Sequence, residues 1–212
     1  MDKAEKRHVE YYLGNSVMNP ETRVLVNETG FCPRHFPMMR EAGHAHHLGL
    51  LAHTHLQQVR RDIAGKLSNL SRGASVKTAG VFASAVRNHS EECLICRSME
   101  RDRKRYCYTA VKLYIEEEEF RNLFAASRGP CLIHGADLAE MAAEVLKKKD
   151  MQLFLGALGE HLDSALKKLE EDVLLFTQKF DSQNDNVDWG DSRDAHARTV
   201  QYLSGTSVRL TD

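Results

Sequence analysis

A chain of 212 residues with 42% hydrophobic residues is long enough to bury a sizeable core. No window approaches the roughly 18 consecutive apolar residues of a membrane span, and the opening stretch MDKAEKRHVEYYLG lacks the apolar run of a signal peptide, so the expectation is a cytoplasmic protein with no membrane association. The net charge of -1 hides an asymmetry: 18 Lys and Arg stand against 11 Asp and Glu through Lys112, and 11 against 19 beyond it, while the pI near 6.8 gives little support to nucleic-acid binding.

Taken in chain order, the sequence predicts helices almost throughout. Prolines are few, alternating β-type runs are missing and long stretches carry a 3.6-residue period. A first helix is expected over residues 3–17, and a second opens at NPET, with Asn19 as N-cap and Pro20 in the first turn, and closes at Gly30. A short helix follows Cys32, a longer one covers about His44 to Leu70, and another covers 76–89. Ser90 has the character of an N-cap for a helix running to about Ile115, with Cys93 and Cys96 on its opening turn.

The acidic run at 116–119 marks a turn into a returning helix that Gly129 ends. From Ala136 to Phe180 the chain is helical with a break near Lys149. Leu162, Leu166, Leu169, Val173, Phe176 and Phe180 there form a coiled-coil-like seam, suited to packing within the chain or to self-association. A polar linker, DSQNDNVD, leads to a final helix near 191–204.

Five cysteines, an odd number, favour thiols kept for metal or redox chemistry over a disulfide framework. Cys93 and Cys96 form a CxxC, and Cys131 and His134 a CxxH, joined by a 34-residue connection. Together they supply four soft or borderline ligands, the number a structural zinc ion takes, clamping the open end of a helical hairpin. Arg97 and Arg128 are placed to offset the negative charge of three thiolates on a dication. A second CxxH, Cys32 and His35, recurs one repeat earlier: a shift of 99 residues lays Gly30, Cys32 and His35 on Gly129, Cys131 and His134, and a shift of 98 lays Lys6 and Arg7 on Lys104 and Arg105. The counterparts of Cys93 and Cys96 then fall before residue 1, so Cys32 and His35 read as an incomplete second site.

Other readings of these residues stay open. Cys93 and Cys96 could be reduced, partly buried thiols, as Cys107 is expected to be. A thioredoxin-like CxxC would need a βαβ context that this helical sequence does not offer, and iron–sulfur ligation more usually uses cysteine alone. The histidines of GHAHHLGLLAHTH, namely His44, His46, His47, His53 and His55, read first as a polar helix face and second as substitute ligands for Cys32 and His35.

The paired modules, with GFCPRHF and RGPCLIH closing their hairpins and Trp189 in a late helical segment, resemble an uncharacterised bacterial family with tandem CxxC and GxCxxH helical modules. The resemblance implies metal-type roles for Cys93, Cys96, Cys131 and His134, and for Cys32 and His35. It departs from the family pattern in lacking the first CxxC.

The expected architecture is an all-α helical bundle of two repeated hairpin modules, residues 1–75 and 76–150, with long C-terminal helices over 151–212 in one compact domain. No phosphate-binding glycine loop, HExxH or nucleophile elbow is recognisable, and no small-molecule substrate can be named. The function expected is that of a zinc-stabilised protein that binds another protein or itself. A thiol-based redox or metal sensor is the first alternative, and nucleic-acid binding through RSMERDRKR the second.

Overall fold

The structure, a computed structural model, describes residues 3–73, 75–180 and 188–205, and every regular element among them is helical. In chain order the α-helices are α1 (Lys3–Leu13), α2 (Pro20–Thr29), α3 (His35–Glu41), α4 (Ala45–Arg72), α5 (Val76–Glu91), α6 (Leu94–Glu116), α7 (Glu118–Ala126), α8 (Leu132–Val145), α9 (Lys148–Gln178) and α10 (Ala195–Ser204). Short 3-10 turns cover Asn15–Met18 and Gly190–Ser192. No helix among the described residues is long and apolar enough to cross a membrane. The chain divides into two compact units, Met1–Arg101 and Asp102–Asp212, and the division falls within α6.

In the first unit the local signals act as the sequence implies, with two exceptions. The Asn19 side chain accepts from the Glu21 amide at 2.8 Å with Pro20 in the first turn, and Ser75 and Thr78 form a reciprocal capping box that starts α5. α1 stops at Leu13 instead of residue 17, and a 3-10 turn follows Gly14. Ser90 is not an N-cap: it lies in the last turn of α5, and α6 begins only at Leu94. Residues 76–91, which the sequence assigned to a second module, pack as α5 against α4 in this unit.

Val9, Tyr12 and Leu13 from one stripe of α1 meet Val26, Phe31, Met39 and Leu51, and Cys93, Leu94 and Ile95 complete this core. The start of α6 is therefore anchored in apolar packing as well as carrying two thiols.

In the second unit α9 packs against α8 and α10. Tyr114, Phe124 and Phe154 form an edge-to-face cluster, with Tyr114 ring centroids 5.5 and 5.1 Å from the other two, around Val111, Leu138 and Leu158. Cys107 is buried there, as expected of a structural thiol. Of the α9 seam, Leu162 packs on this core and Phe176 stacks on His196 at 4.5 Å, whereas Phe180 is exposed. Most of the linker predicted over 181–188 lies outside the described residues.

α9 and α10 are also tied by charge. Asp172 is 4% exposed, and its carboxylate accepts from Lys168 at 2.7 Å and from Arg198 at 3.1 and 3.2 Å. Burial alone would raise its pKa, but the hydrogen bonds and charges of Lys168 and Arg198 outweigh that and hold it below the ordinary carboxylate value. A depressed folded pKa contributes stability that is present above the unfolded value and is lost as pH falls through the folded one. Asp172→Asn is expected to lower the unfolding free energy at neutral pH by about 2 kcal/mol. It should also flatten the loss of stability below pH of about 4, as read from urea unfolding across an acid series.

Candidate metal centre

The site begins with a glycine. α2 ends at Gly30, whose φ of 72° and ψ of -156° lie in a region closed to other residues. A Cβ there would stand 2.6 Å from the His55 ring of α4, which packs over the turn while its Nδ1 pairs with the Asn27 carbonyl at 3.1 Å. The turn sends the chain into Phe31 and Cys32, and α3 opens at His35, placing the Cys32 sulfur 3.2 Å from His35 Nδ1.

The other two ligand atoms arrive by way of a hairpin. From His55, α4 runs 17 residues further to Arg72, and the 16 residues of α5 bring the chain back to the same turn. The Leu94 amide donates to the Gly30 carbonyl at 3.2 Å, fixing the start of α6 there. Cys93 and Cys96 sulfurs then lie 3.3 and 3.4 Å from His35 Nδ1, and the Cys32 and Cys96 sulfurs are 3.9 Å apart. The ligand atoms of Cys32, His35, Cys93 and Cys96 all lie within 4.8 Å of one another, an arrangement able to hold a metal ion.

Behind this cluster, His35 Nε2 meets Glu5 Oε1 at 3.1 Å, and the same carboxylate oxygen accepts from Arg34 at 2.6 Å. Glu5 and His35 are both almost wholly buried, so the carboxylate fixes the ring with Nδ1 turned to the sulfurs. Burial lowers the His35 pKa, against the opposing pull of Glu5, and favours the neutral imidazole that can act as a ligand. Burial would raise the Cys32 thiol, but the amides of His35 and Arg34 and the thiols of Cys93 and Cys96 bring it below its ordinary value. Cys96 is pushed up to about 12, first by burial of the thiol among its neighbours and then by the charges of Cys93 and Cys32.

The structure regroups the residues that the sequence singled out. Cys93 and Cys96 join Cys32 and His35, not Cys131 and His134, so the first CxxH takes its CxxC from downstream. The expected hairpin of α6 and α7 would need helices of matching length to close at its cysteines, and α6 has 23 residues against nine in α7. Cys131 and His134 repeat the local geometry as a pair, Sγ to Nδ1 at 3.1 Å, at the start of α8. Gly129 likewise repeats the φ of 72°, with His161 packed where a Cβ would stand, 2.2 Å away.

Arg97, expected to offset thiolate charge, instead bonds Glu92 at 2.6 Å and Thr29 at 3.3 Å. His44, His46 and His53 are not in the cluster. His47 pairs with the Leu13 carbonyl at 2.6 Å, and His55 packs on the Gly30 turn. Nothing in the sequence pattern marks Glu5, and Arg34 is marked only by its position within the CxxH itself.

An all-helical fold with four convergent side chains of this type is a helical protein with a candidate Cys3His metal centre. The chain belongs to a family of unknown function (DUF6062), whose model matches residues 1–209. No curated protein and no solved structure matches the chain.

Both glycine turns can be tested by substitution. Gly30→Ala and Gly129→Ala are each expected to cost about 1–3 kcal/mol in urea unfolding. Gly49→Ala, in the interior of α4 with open space around it, is expected instead to add roughly 0.5–1 kcal/mol.

Proposed function

We propose that the protein is a zinc-stabilised helical binding protein in which Cys32, His35, Cys93 and Cys96 hold one structural zinc ion. The observation that carries this reading is the spacing of the four ligand atoms. A tetrahedral ion with bonds of about 2.3 Å to sulfur and about 2.0 Å to nitrogen sets two sulfurs about 3.8 Å apart and sulfur from nitrogen about 3.5 Å. The Cys32 and Cys96 sulfurs are 3.9 Å apart, the three sulfurs stand 3.2–3.4 Å from His35 Nδ1, and every pair of ligand atoms lies within 4.8 Å.

Three sulfurs and a neutral imidazole form a closed set with no position left for substrate, which favours a structural role over a catalytic one. The ion would supply charge that lets crowded thiolates coexist, and it would lock the CxxH turn to the start of α6. Two of its ligands, Cys93 and His35, already belong to the buried interior of the first unit. With the metal centre used for the fold, activity falls to the surface, and binding of a protein partner or a second copy fits the lack of a recognisable catalytic set.

A second reading, a thiol-based sensor, is favoured by Cys96, which is exposed where Cys32 is half-buried and Cys93 buried. In that reading Cys96 and a neighbouring thiolate give two electrons to hydrogen peroxide. A disulfide forms, two protons are taken up to make two waters, and the zinc is released. Release of zinc at low peroxide dose, lost in Cys96→Ser, would raise it above the first.

Elemental analysis of protein purified without added metal is expected to give one zinc per chain. Cys32→Ser and Cys93→Ser should each lose it together with stability, and Cys131→Ser should keep it; retention of metal and fold in Cys93→Ser would overturn the reading. Glu5→Gln, which weakens the hold on His35 without touching a ligand, should reduce zinc affinity about 10- to 100-fold in a chelator competition.

A further inference from the structure

We propose that the second unit binds a small, multiply charged oxyanion, a molecule carrying phosphate or carboxylate groups, in the cavity where the Gly129 turn faces α9 and α10. This inference is independent of the zinc reading and concerns different residues. The cavity has a volume of about 710 Å³ and is lined by the loop around Arg128, the middle of α9 and the segment from Gly190 to Tyr202. That volume suits an organic molecule of cofactor or metabolite size, since such pockets run from about 300 to 1,000 Å³.

The charges on its wall do not cancel. The lining carboxylates are Asp191 and Asp194: Asp194 bonds Arg198 at 2.7 Å, and Asp191 lies 3.9 Å from Lys168. Lys168 and Arg198 are further engaged by Asp172 behind the wall. Two cations remain. Among the described residues Arg128 has no acidic partner, and neither has Arg193, whose guanidinium lies 5.8 Å from the centroid of the Trp189 ring. Two unmatched guanidinium groups on one cavity are a natural receptor for an oxyanion, which each can meet with paired N–H donors.

A buried hydroxyl points the same way. Tyr202 lines the cavity and is only 9% exposed, yet its hydroxyl has no hydrogen-bond partner among the described residues. Buried polar groups are nearly always satisfied, and a phenol left without a protein partner on a cavity wall is free to donate to a ligand oxygen. The comparison with the first unit explains why space exists. There the Gly30 turn is met by the Leu94 amide and the Cys32 sulfur by Cys93 and Cys96. In the second unit Gly129 and Cys131 line the cavity instead, and the Cys131 sulfur pairs with His134 alone among the described residues that could ligate a metal. The turn used by a metal cluster in one unit is left facing a pocket in the other.

The test uses the full chain and its single tryptophan, Trp189, as reporter. Inorganic phosphate and succinate are titrated separately at constant ionic strength, with tryptophan fluorescence and melting temperature as readouts. A saturable change with phosphate alone assigns a phosphoryl ligand, with succinate alone a carboxylate ligand, and with both a general oxyanion site. The Arg128→Gln/Arg193→Gln double variant alters two exposed residues and should fold and keep its zinc, but should bind at least tenfold more weakly.

Tyr202→Phe should leave the melting temperature of the free protein unchanged or raise it, because it removes an unsatisfied group, while weakening binding several-fold. The proposal is overturned if neither anion does more than sodium chloride at matched ionic strength, or if the double variant binds as tightly as the wild type. Unchanged affinity in Tyr202→Phe would overturn the part assigned to its hydroxyl.

Discussion

The first unit depends on the approach of the α4–α5 hairpin to the turn at Gly30. A glycine in a backbone region closed to other residues lets the His55 ring approach the turn where a Cβ would stand, and its carbonyl then receives the amide at the start of α6. The lengths of the two helices make this contact repeatable: the 17 residues that carry α4 away from His55 are matched by the 16 of α5 that return. With the hairpin closed, Cys93 and Cys96 have nowhere to go but the pocket already furnished by Cys32 and His35. The cluster of three thiols and an imidazole is a consequence of the packing, and the buried Glu5 keeps its imidazole aligned.

The second unit uses the same parts to a different end. Gly129 has the same φ as Gly30, His161 packs on it as His55 packs on Gly30, and α9 again runs 17 residues beyond that histidine. Cys131 and His134 reproduce the CxxH contact to within 0.1 Å of its counterpart, at 3.1 against 3.2 Å. What differs is the return: α10 has ten residues in place of sixteen, and it carries Tyr202 and Arg198 to the turn instead of two thiols. The apolar clusters of both units have comparable makeup, with aromatic rings edge to face among aliphatic residues.

The division of charge seen in the sequence has a partial structural counterpart. Within the acidic second half, the carboxylates Asp172, Asp191 and Asp194 are placed near Lys168 and Arg198. Such arrangements leave the few remaining cations conspicuous. Arg128, which the sequence assigned to charge compensation at a metal, lines the cavity of its own unit.

By itself the sequence determined the helical class, most element boundaries and the chemistry of the ligands, because these follow from local causes. Asn19 and Pro20 start α2 whatever lies elsewhere, Gly30 and Gly129 stop the chain wherever they stand, and thiol and imidazole donors three residues apart converge on one turn. It also aligned Gly30 with Gly129, two glycines that share a φ of 72°. Only the tertiary structure decided which CxxH receives the CxxC. Order along the chain suggested the following one, but Cys93 and Cys96 open α6 and yet complete the cluster of the helices before it. Glu5 and Tyr202 were equally silent in the sequence, since a carboxylate or a phenol acquires its role from what it is buried against. Neighbourhood in space is set by helix lengths and by where hairpins pivot, quantities that sum over tens of residues and that no spacing between cysteines encodes.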